Sequence, residues 1–496
     1  MSTLPVAVHT AAQVRALDRH AIDDLQIPSY SLMTRAGEAA LGALRSCWPS
    51  AQRIAIVCGP GNNGGDGYVL ARLAREQRLE VAVFGLHEPG RLQGDARRAH
   101  DDFVAAGGIA GAWQANCLDG ADVVVDAIFG VGLSRPVAGA AMEAIAAINS
   151  CAAHVFALDI PSGLHADSGE ILGDAVRAER TLTFLGLKLG FYLGEGPNCV
   201  GVIMLDGLEL PPPALAHVDA AAALINEAAI AELLPRRRRT AHKGQQGSVL
   251  VVGGNIGMAG AARMAGEAAL RAGAGLVTVA TRNENVAAIV GARPELMCRG
   301  VVRAEDLTGL IAQADVIALG PGLGQDDWAR TMFETALGSD RRVVVDADAL
   351  NLLAQSPRAN AHWILTPHPG EAARLLGKTT AEVQHDRLGS ARAIGTRYGG
   401  IVVLKGAGTL VVSDEGLPAI CDRGNPGMAS AGMGDVLTGV IAGIVAQRAE
   451  LAAAARVGVL VHALAGDMAA RRGERGLLAT DLLAYLPTCV NPHQRS

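Results

Sequence analysis

Two glycine-rich segments hold the residues whose types and spacing could do chemistry. The first reads Gly59-Pro60-Gly61-Asn62-Asn63-Gly64-Gly65-Asp66-Gly67. Glycines 59, 61 and 64 match the spacing by which a tight turn lays a pyrophosphate on a helix N-terminus. Asn62, Asn63 and Asp66 do not belong to that chemistry. A carboxylate in the loop repels a pyrophosphate, whereas amide and carboxylate oxygens suit a hard cation or hydroxyl groups. The bland alternative is a turn in which Asp66 caps the next helix. Two more segments close apolar runs with polar groups. One is Asp126, ahead of Gly130-Val131-Gly132-Leu133-Ser134-Arg135-Pro136; the other is Asp159-Ile160-Pro161-Ser162. Ligands of open parallel sheets bind outside the carboxyl ends of strands. Asn63, Asp126, Asp159 and Ser162 are therefore expected to meet in one crevice, although either aspartate alone would also serve as a helix cap.

The second segment is Gly424-Asn425-Pro426-Gly427-Met428-Ala429-Ser430-Ala431-Gly432-Met433-Gly434-Asp435, followed by a long apolar run. Bare N–H groups at the helix start near Gly432 would form an anion hole. Asp435 in the first turn is positioned as a general base; as a mere N-terminal acid it would add a modest dipole stabilisation. Other loops fit around it: Gly253–Gly260, Gly320-Pro321-Gly322-Leu323-Gly324, Asp346-Ala347-Asp348, Thr366-Pro367-His368-Pro369-Gly370-Glu371 and Lys405-Gly406-Ala407-Gly408-Thr409. Only four of the 43 basic residues are lysine, and Lys243 and Lys405 sit beside glycines. A compact ammonium there is a reasonable phosphate contact.

The positioning elements follow from the apolar pattern. Strands are expected at Arg53–Cys58, Val81–Leu86, Asp122–Phe129, His154–Ile160 and Thr181–Leu187, with helices at Thr10–Ile22, Ser31–Cys47, Tyr68–Gln77, Arg91–Ala106 and Ala138–Asn149. This alternation implies a parallel sheet covered on both faces. Pro211-Pro212-Pro213 and the Arg236–Arg239 run mark a break. The expected division is a first domain over 1–215, a linker over 216–235 and a second domain over 236–496. In the second, strands are expected at Ser248–Val252, Leu276–Thr281, Asp315–Leu319, Arg342–Asp346, His362–Leu365 and Ile401–Leu404, with Leu410–Ser413 as a hairpin partner. Helices are expected at Ala259–Ala272, Asp326–Leu337, Gly370–Leu376, Ala381–Arg397, Ser430–Gln447, Leu451–Arg471 and Thr480–Leu486. The fold class is α/β in both halves.

Composition narrows the function. A net charge of -6 offers no basic field for nucleic acid, and 3% aromatics do not build stacking platforms for single strands. Eight scattered cysteines contain no Cys-x-x-Cys pair, which argues against structural zinc and for a reducing compartment. Met1–Thr10 lacks a basic signal-peptide start, and no apolar stretch is uninterrupted enough for a membrane helix. The expectation is a cytoplasmic protein with no membrane and no nucleic-acid partner, and a homo-oligomer.

These motifs, in this order over nearly the whole chain, resemble the bifunctional NAD(P)H-hydrate repair enzymes, the YjeF family. The resemblance implies a Rossmann-like three-layer first domain, an NAD(P)HX epimerase, and a ribokinase-like second domain, an ADP-dependent NAD(P)HX dehydratase. The substrates it implies are NADHX and NADPHX, the nicotinamide ring hydrated at C6, with ADP as co-substrate giving AMP and phosphate. Carried onto this chain, Asn62–Asp66 and Gly130–Pro136 would bind the hydrate, and Asp159 would contact it and supply acid/base chemistry. Asn63, Asp126 and Ser162 would ligate potassium. Gly260 or Ala261, Gly322–Gly324, His368 and Asp435 would hold the hydrate in the second half, and Lys405–Thr409 with Gly434 would hold ADP. Asp435 corresponds to the catalytic aspartate of the kinase relatives, which often read Gly-Ala-Gly-Asp where this chain has Met433. Magnesium is expected for the phosphoryl transfer. Three rivals remain open: a ribokinase-like vitamin kinase fused to a binding domain, an NAD(P)-dependent dehydrogenase using Gly59–Gly64, and a first half that only binds.

Overall fold

Val57, Val123–Val125 and Ala157 are buried on both sides of their strands, the pattern of a parallel sheet enclosed between two helical layers. The computed structural model describes residues 6–114 and 116–491, so part of the Met1–Thr10 segment lies outside the described residues. The chain divides into two compact units, 1–222 and 223–496.

The first unit carries a seven-stranded, all-parallel sheet in the order Ala110–Ala112, Glu80–Gly85, Arg53–Cys58, Val123–Ala127, His154–Leu158, Arg180–Phe184 and Val202–Asp206. The chain starts in the middle, runs to one edge, then returns to the other side of Arg53–Cys58. The reversal leaves a crevice between Arg53–Cys58 and Val123–Ala127, where such sheets bind ligands. One layer buries Leu32, Ala36, Leu70 and Phe103; the other buries Ile145, Ile148 and Val176.

One helix begins six residues earlier than its apolar pattern predicts. It spans Asn62–Glu76, with Gly61 as N-cap, so the glycine run is helical and Asp66 is not a cap. The cause is close packing. A Cβ on Gly64 would stand 2.0 Å from the Gly59 carbonyl oxygen, and one on Gly67 would stand 2.7 Å from Ala127 Cβ. Helix Ala11–Arg19 continues as a π-helical turn, His20–Asp24. The expected strand Thr181–Leu187 ends at Phe184, and a separate short strand, Leu187–Lys188, follows.

In the second unit the strand order is Met297–Gly300, Leu276–Thr281, Ser248–Val252, Val316–Leu319, Arg342–Val345, Trp363–Leu365, Ile401–Leu404, Thr409–Val412, Ala419–Cys421 and Ala222–Leu224. The strands are parallel as far as Ile401–Leu404. The expected hairpin follows, with Leu404 opposite Leu410. Within 216–235 lie the strand Ala222–Leu224 and the helix Ala228–Leu233, whose Ile230 enters the second core. The expected helix Ala381–Arg397 is two helices, Thr380–His385 and Arg387–Tyr398. Asp386 leaves helical geometry between them and accepts from Gly389 N. Helices Ala259–Ala272 and Met433–Ala446 lie close because Gly439 and Gly443 bring no Cβ against the carbonyls of Ala265 and Ala269. Helix Leu451–Ala469 is long and apolar enough by composition to cross a membrane, and most of its length is buried in this core. All eight cysteines are free thiols.

Candidate functional sites

The crevice of the first unit is a cavity of about 570 Å³ lined by Asn62, Asn63, Asp66, Gly130–Arg135 and Asp159 among others. Asp126 and Ser162 do not line it; both are fully buried behind its lining residues Ile128 and Phe129, whose N–H groups donate to Asp126 and to Ser162 Oγ. Ser162 Oγ donates to Asp126 Oδ1 at 2.6 Å, Ser162 N donates to Oδ2 at 2.8 Å, and Ile128 N donates to Oδ1 at 3.2 Å. Burial outweighs these bonds and pushes the Asp126 carboxyl up to about 6. Asn63 is buried at 7% exposure, and neither its amide oxygen nor its nitrogen has a partner. Such a group is costly unless a ligand completes it.

Asp159 adopts a left-handed backbone, φ +63, a conformation that costs on the order of 1–3 kcal/mol and concentrates at functional sites. Its Oδ2 accepts from Val131 N at 3.1 Å, and its Oδ1 accepts from Lys188 Nζ at 2.6 Å. A Cβ on Gly130 would press to 2.8 Å from Asp159 Oδ2. Lys188 is fully buried and spends its remaining donors on Thr183 Oγ1 and the Phe184 carbonyl. Sequence reasoning missed this lysine as a site residue; its scarcity among 43 basic residues was the one available signal. It also missed Asp18, which lines the cavity. Asp18 and Asp66 are both pushed up, first by burial and then by the Asp159 charge. Elsewhere in the unit, His20, Asp24 and His217 stand close enough to share a metal ion. The two imidazoles stack at 3.7 Å with planes 6° apart, so their in-plane lone pairs run parallel and do not converge.

In the second unit the expected residues meet at the N-terminus of helix Met433–Ala446. Gly432 is its N-cap in left-handed geometry, and Asp435 lies in its first turn. Lys405 Nζ donates to Asp346 Oδ1 at 2.7 Å and stands 3.7 Å from Glu371. Thr438 Oγ1 donates to Asp346 Oδ2 at 2.7 Å. A Cβ on Gly434 would lie 3.3 Å from Lys405 Nζ. The ammonium is thus turned inward among carboxylates, and the backbone of Gly406–Thr409 is the part of that loop left for a nucleotide. Buried Arg387 steadies the loop from below, where its nearest carbonyls are those of Leu404, Lys405 and Gly408 at 3.3–3.4 Å. Burial first, then Asp346, pushes Asp435 up to about 7 against the pull of Lys405. Glu371 also rises to about 7, chiefly by burial.

His368 is a helix cap as well as a site residue. Its Nδ1 accepts from Gly370 N at 3.0 Å, leaving Nε2, which stands 3.5 Å from Glu371. The loop Gly320–Gly324 is tied to the strand ends by Gly324 N donating to Asp348 Oδ2 and by Asn255 Nδ2 donating to the Leu323 carbonyl. Gly260 has open space around its Cβ position, and Gly322 abuts Met258 and Ala261. Asn255, Asp346, Glu371, Thr438 and Arg387 carry the geometry; only Asn255, Asp346 and Glu371 stood in expected loops, and none was expected as a site residue.

These two arrangements define a class: a two-unit α/β enzyme, with a polar crevice beside one sheet and a glycine-capped helix start among carboxylates and a lysine beside the other. The comparisons narrow it. Residues 29–190 match the YjeF-related protein N-terminus model and 249–488 the NAD(P)H-hydrate dehydratase model. The bifunctional NAD(P)H-hydrate repair enzyme Nnr of Coxiella burnetii is 49% identical over 97% of this chain and 98% of its own. That of Escherichia coli is 43% identical over 99% and 95%. Among solved structures, a ribokinase-like superfamily protein of Enterococcus faecalis, 31% identical, aligns with TM-score 0.51 over 55% of this chain and 96% of its own. A hypothetical protein of Streptococcus mutans, 32% identical, aligns equally well over 54% and 99%. The chain belongs to the family of bifunctional NAD(P)H-hydrate repair enzymes.

Proposed function

We propose that the first unit interconverts the R and S hydrates of NADH and NADPH, and that the second dehydrates the S form at the expense of ADP, giving AMP and phosphate. The observation that carries the reading is the pairing, in one chain, of the Asp159 crevice with the Asp435 anion hole. Hydroxide is a poor leaving group, and a kinase-type cleft removes that obstacle. Asp435 takes the proton of the C6 hydroxyl as its oxygen attacks the β-phosphorus of ADP, while the N–H groups at the helix start steady the phosphoryl oxygens. The N1 lone pair then expels phosphate, and loss of the C5 proton restores the dihydropyridine. Gly322–Gly324, His368 and Gly260 or Ala261 hold the hydrate; Lys405–Thr409 and Gly434 hold the nucleotide.

Two ions complete the reading. The unpartnered, buried Asn63 amide oxygen suits a hard cation; with the buried Asp126 and Ser162 oxygens it would make up a potassium site under the hydrate. Asp346, Glu371 and Asp435 outnumber Lys405, a surplus of negative charge that fits magnesium; Glu371 would hold it, leaving Asp435 free as the base, and it would offset phosphate charge. Binding of the hydrate to the first unit is expected to weaken when sodium replaces potassium, and identical binding in the two buffers would count against the potassium site. Cytoplasmic placement and a homo-oligomer belong to the same reading, tested by fractionation and sedimentation.

The deciding experiment gives the protein a mixture of R and S NADPH hydrates with ADP and magnesium and follows dihydronicotinamide absorbance. Full recovery by the wild type, with recovery of only the S fraction by Asp159→Ala, is expected. No recovery with any adenine nucleotide would refute the repair reading.

A further inference from the structure

Four carboxylates, Asp18, Asp66, Asp95 and Asp159, line the cavity of the first unit, and they are not equivalent. Asp159 is clamped at one oxygen by Lys188 and at the other by Val131 N. Asp66, from helix Asn62–Glu76, has neither a hydrogen bond nor an ion pair among the described residues, though it lines the same space. Its neighbours are the carboxylates of Asp159 and Asp18 and the buried Cys58 thiol. Lys188 spends all its donors on other groups, and neither Arg15 nor Arg135, which line the same cavity, makes an ion pair with Asp66 among the described residues. A carboxyl so placed is pushed toward its protonated form, whereas Asp159 has each oxygen engaged by a donor; unequal environments of this kind mark an acid and a base.

We propose that Asp159 is the general base and Asp66 the general acid of R/S interconversion, with Lys188 as the positioning residue that fixes the Asp159 carboxyl; this rests on the epimerase reading above. Asp159 takes the proton of the C6 hydroxyl while Asp66 gives its proton to N1. The O–H pair becomes the carbonyl π bond, and the C6–N1 pair stays on nitrogen, leaving an aldehyde and a neutral enamine. Rotation about C5–C6 presents the other carbonyl face. N1 then attacks the carbonyl carbon, Asp66 recovers the N1 proton, and Asp159 returns its own to oxygen. Both carboxyls finish each turnover as they began, and the hydroxyl oxygen is retained. No water or co-reactant is consumed.

The test uses the full chain and (R)-NADHX in potassium buffer without ADP. R-to-S conversion is followed by chromatography from about pH 5 to about pH 10, with the spontaneous rate subtracted. The wild type is expected to give a bell, its acid limb from loss of the general base and its alkaline limb from Asp66, which burial, Asp159 and Asp18 push up. Asp66→Asn, isosteric with the neutral acid, is expected to lose about 10²–10⁴ in kcat, with hydrate binding within about threefold of wild type. Lys188→Met is expected to lower kcat and move the acid limb upward, and Lys188→Arg to restore part of both. In ¹⁸O-water the S product is expected to keep its original oxygen. Wild-type turnover by a folded Asp66→Asn, or an alkaline plateau in the wild type, would overturn the acid assignment. Full ¹⁸O incorporation would overturn the ring-opening step. A wild type that interconverts nothing at any pH refutes the epimerase reading itself, a different result from either.

Discussion

Asp435 titrates where its work is done. Its carboxyl is held at about 7, and a base acts only when ionised, so dehydration is expected to rise through about pH 7 and level off above it. Glu371 titrates in the same range beside it, which steepens the rise; a kcat profile without an acid limb would contradict this. The same shift reaches stability. Both groups have folded pKa values raised above the unfolded ones, so their contribution is complete below about pH 4 and is lost as pH rises through 7. Asp435→Asn removes one such loss and is expected to raise the Tm of the second unit at pH 8, on the order of 2–4 °C per kcal/mol regained, while abolishing dehydration and sparing epimerisation. Lys188→Met works the other way: it strands Asp159 beside apolar walls, and breaking a buried pair costs about 3–5 kcal/mol, readable as a lower urea midpoint for the first unit. The place of Asp126 and Asp159 at strand ends was legible because each acid closes an apolar run, and Asn63 stood out within the glycine run. Lys188 was not, because its meaning depends on Asp159, 29 residues away in the chain, and on the burial of everything around it.

The helix Asn62–Glu76 shows what an element's sequence hides. Glycine has poor helix propensity, so Gly64, Gly65 and Gly67 read as loop, yet all three are helical. Their reason is contact with partners that the local pattern does not name. Gly64→Ala would drive a methyl into the Gly59 carbonyl and is expected to cost about 1–3 kcal/mol or more, with loss of epimerase activity. Gly61→Ala, with nothing within 4 Å of the new methyl, is expected to leave the stability of the first unit, read from its urea midpoint, within a few tenths of a kcal/mol. Equal effects of the two would remove the packing argument. The central strands of both sheets, rich in Val and Ile and apolar on both faces, were readable to within a few residues; the outer strands Ala110–Ala112, Val202–Asp206, Met297–Gly300 and Ala419–Cys421 were not expected, because short or half-polar runs carry no such pattern. The break at Asp386 was not, because a single side-chain cap decided it.

At the scale of the whole molecule, each unit owns its core: the buried clusters of the first unit lie between Leu17 and Ala214, and that of the second between Ile230 and Val490. Lys188→Met is therefore expected to displace one urea transition and Asp435→Asn the other, and a single shared transition moved by both would contradict separate cores. The strand–helix alternation made two α/β halves legible, while the strand orders, which create the crevices, depend on pairings between distant segments. The free cysteines carry a last consequence. Five of the eight are buried, and burial pushes the thiols of Cys58, Cys199 and Cys421 upward, Cys199 to about 11 and Cys421 to about 12. Peroxides and alkylating agents attack thiolates, so these sulfurs offer them almost no target at neutral pH. The half-buried Cys47, Cys117 and Cys151 are left as the thiols that such reagents reach first, with the core sulfurs spared.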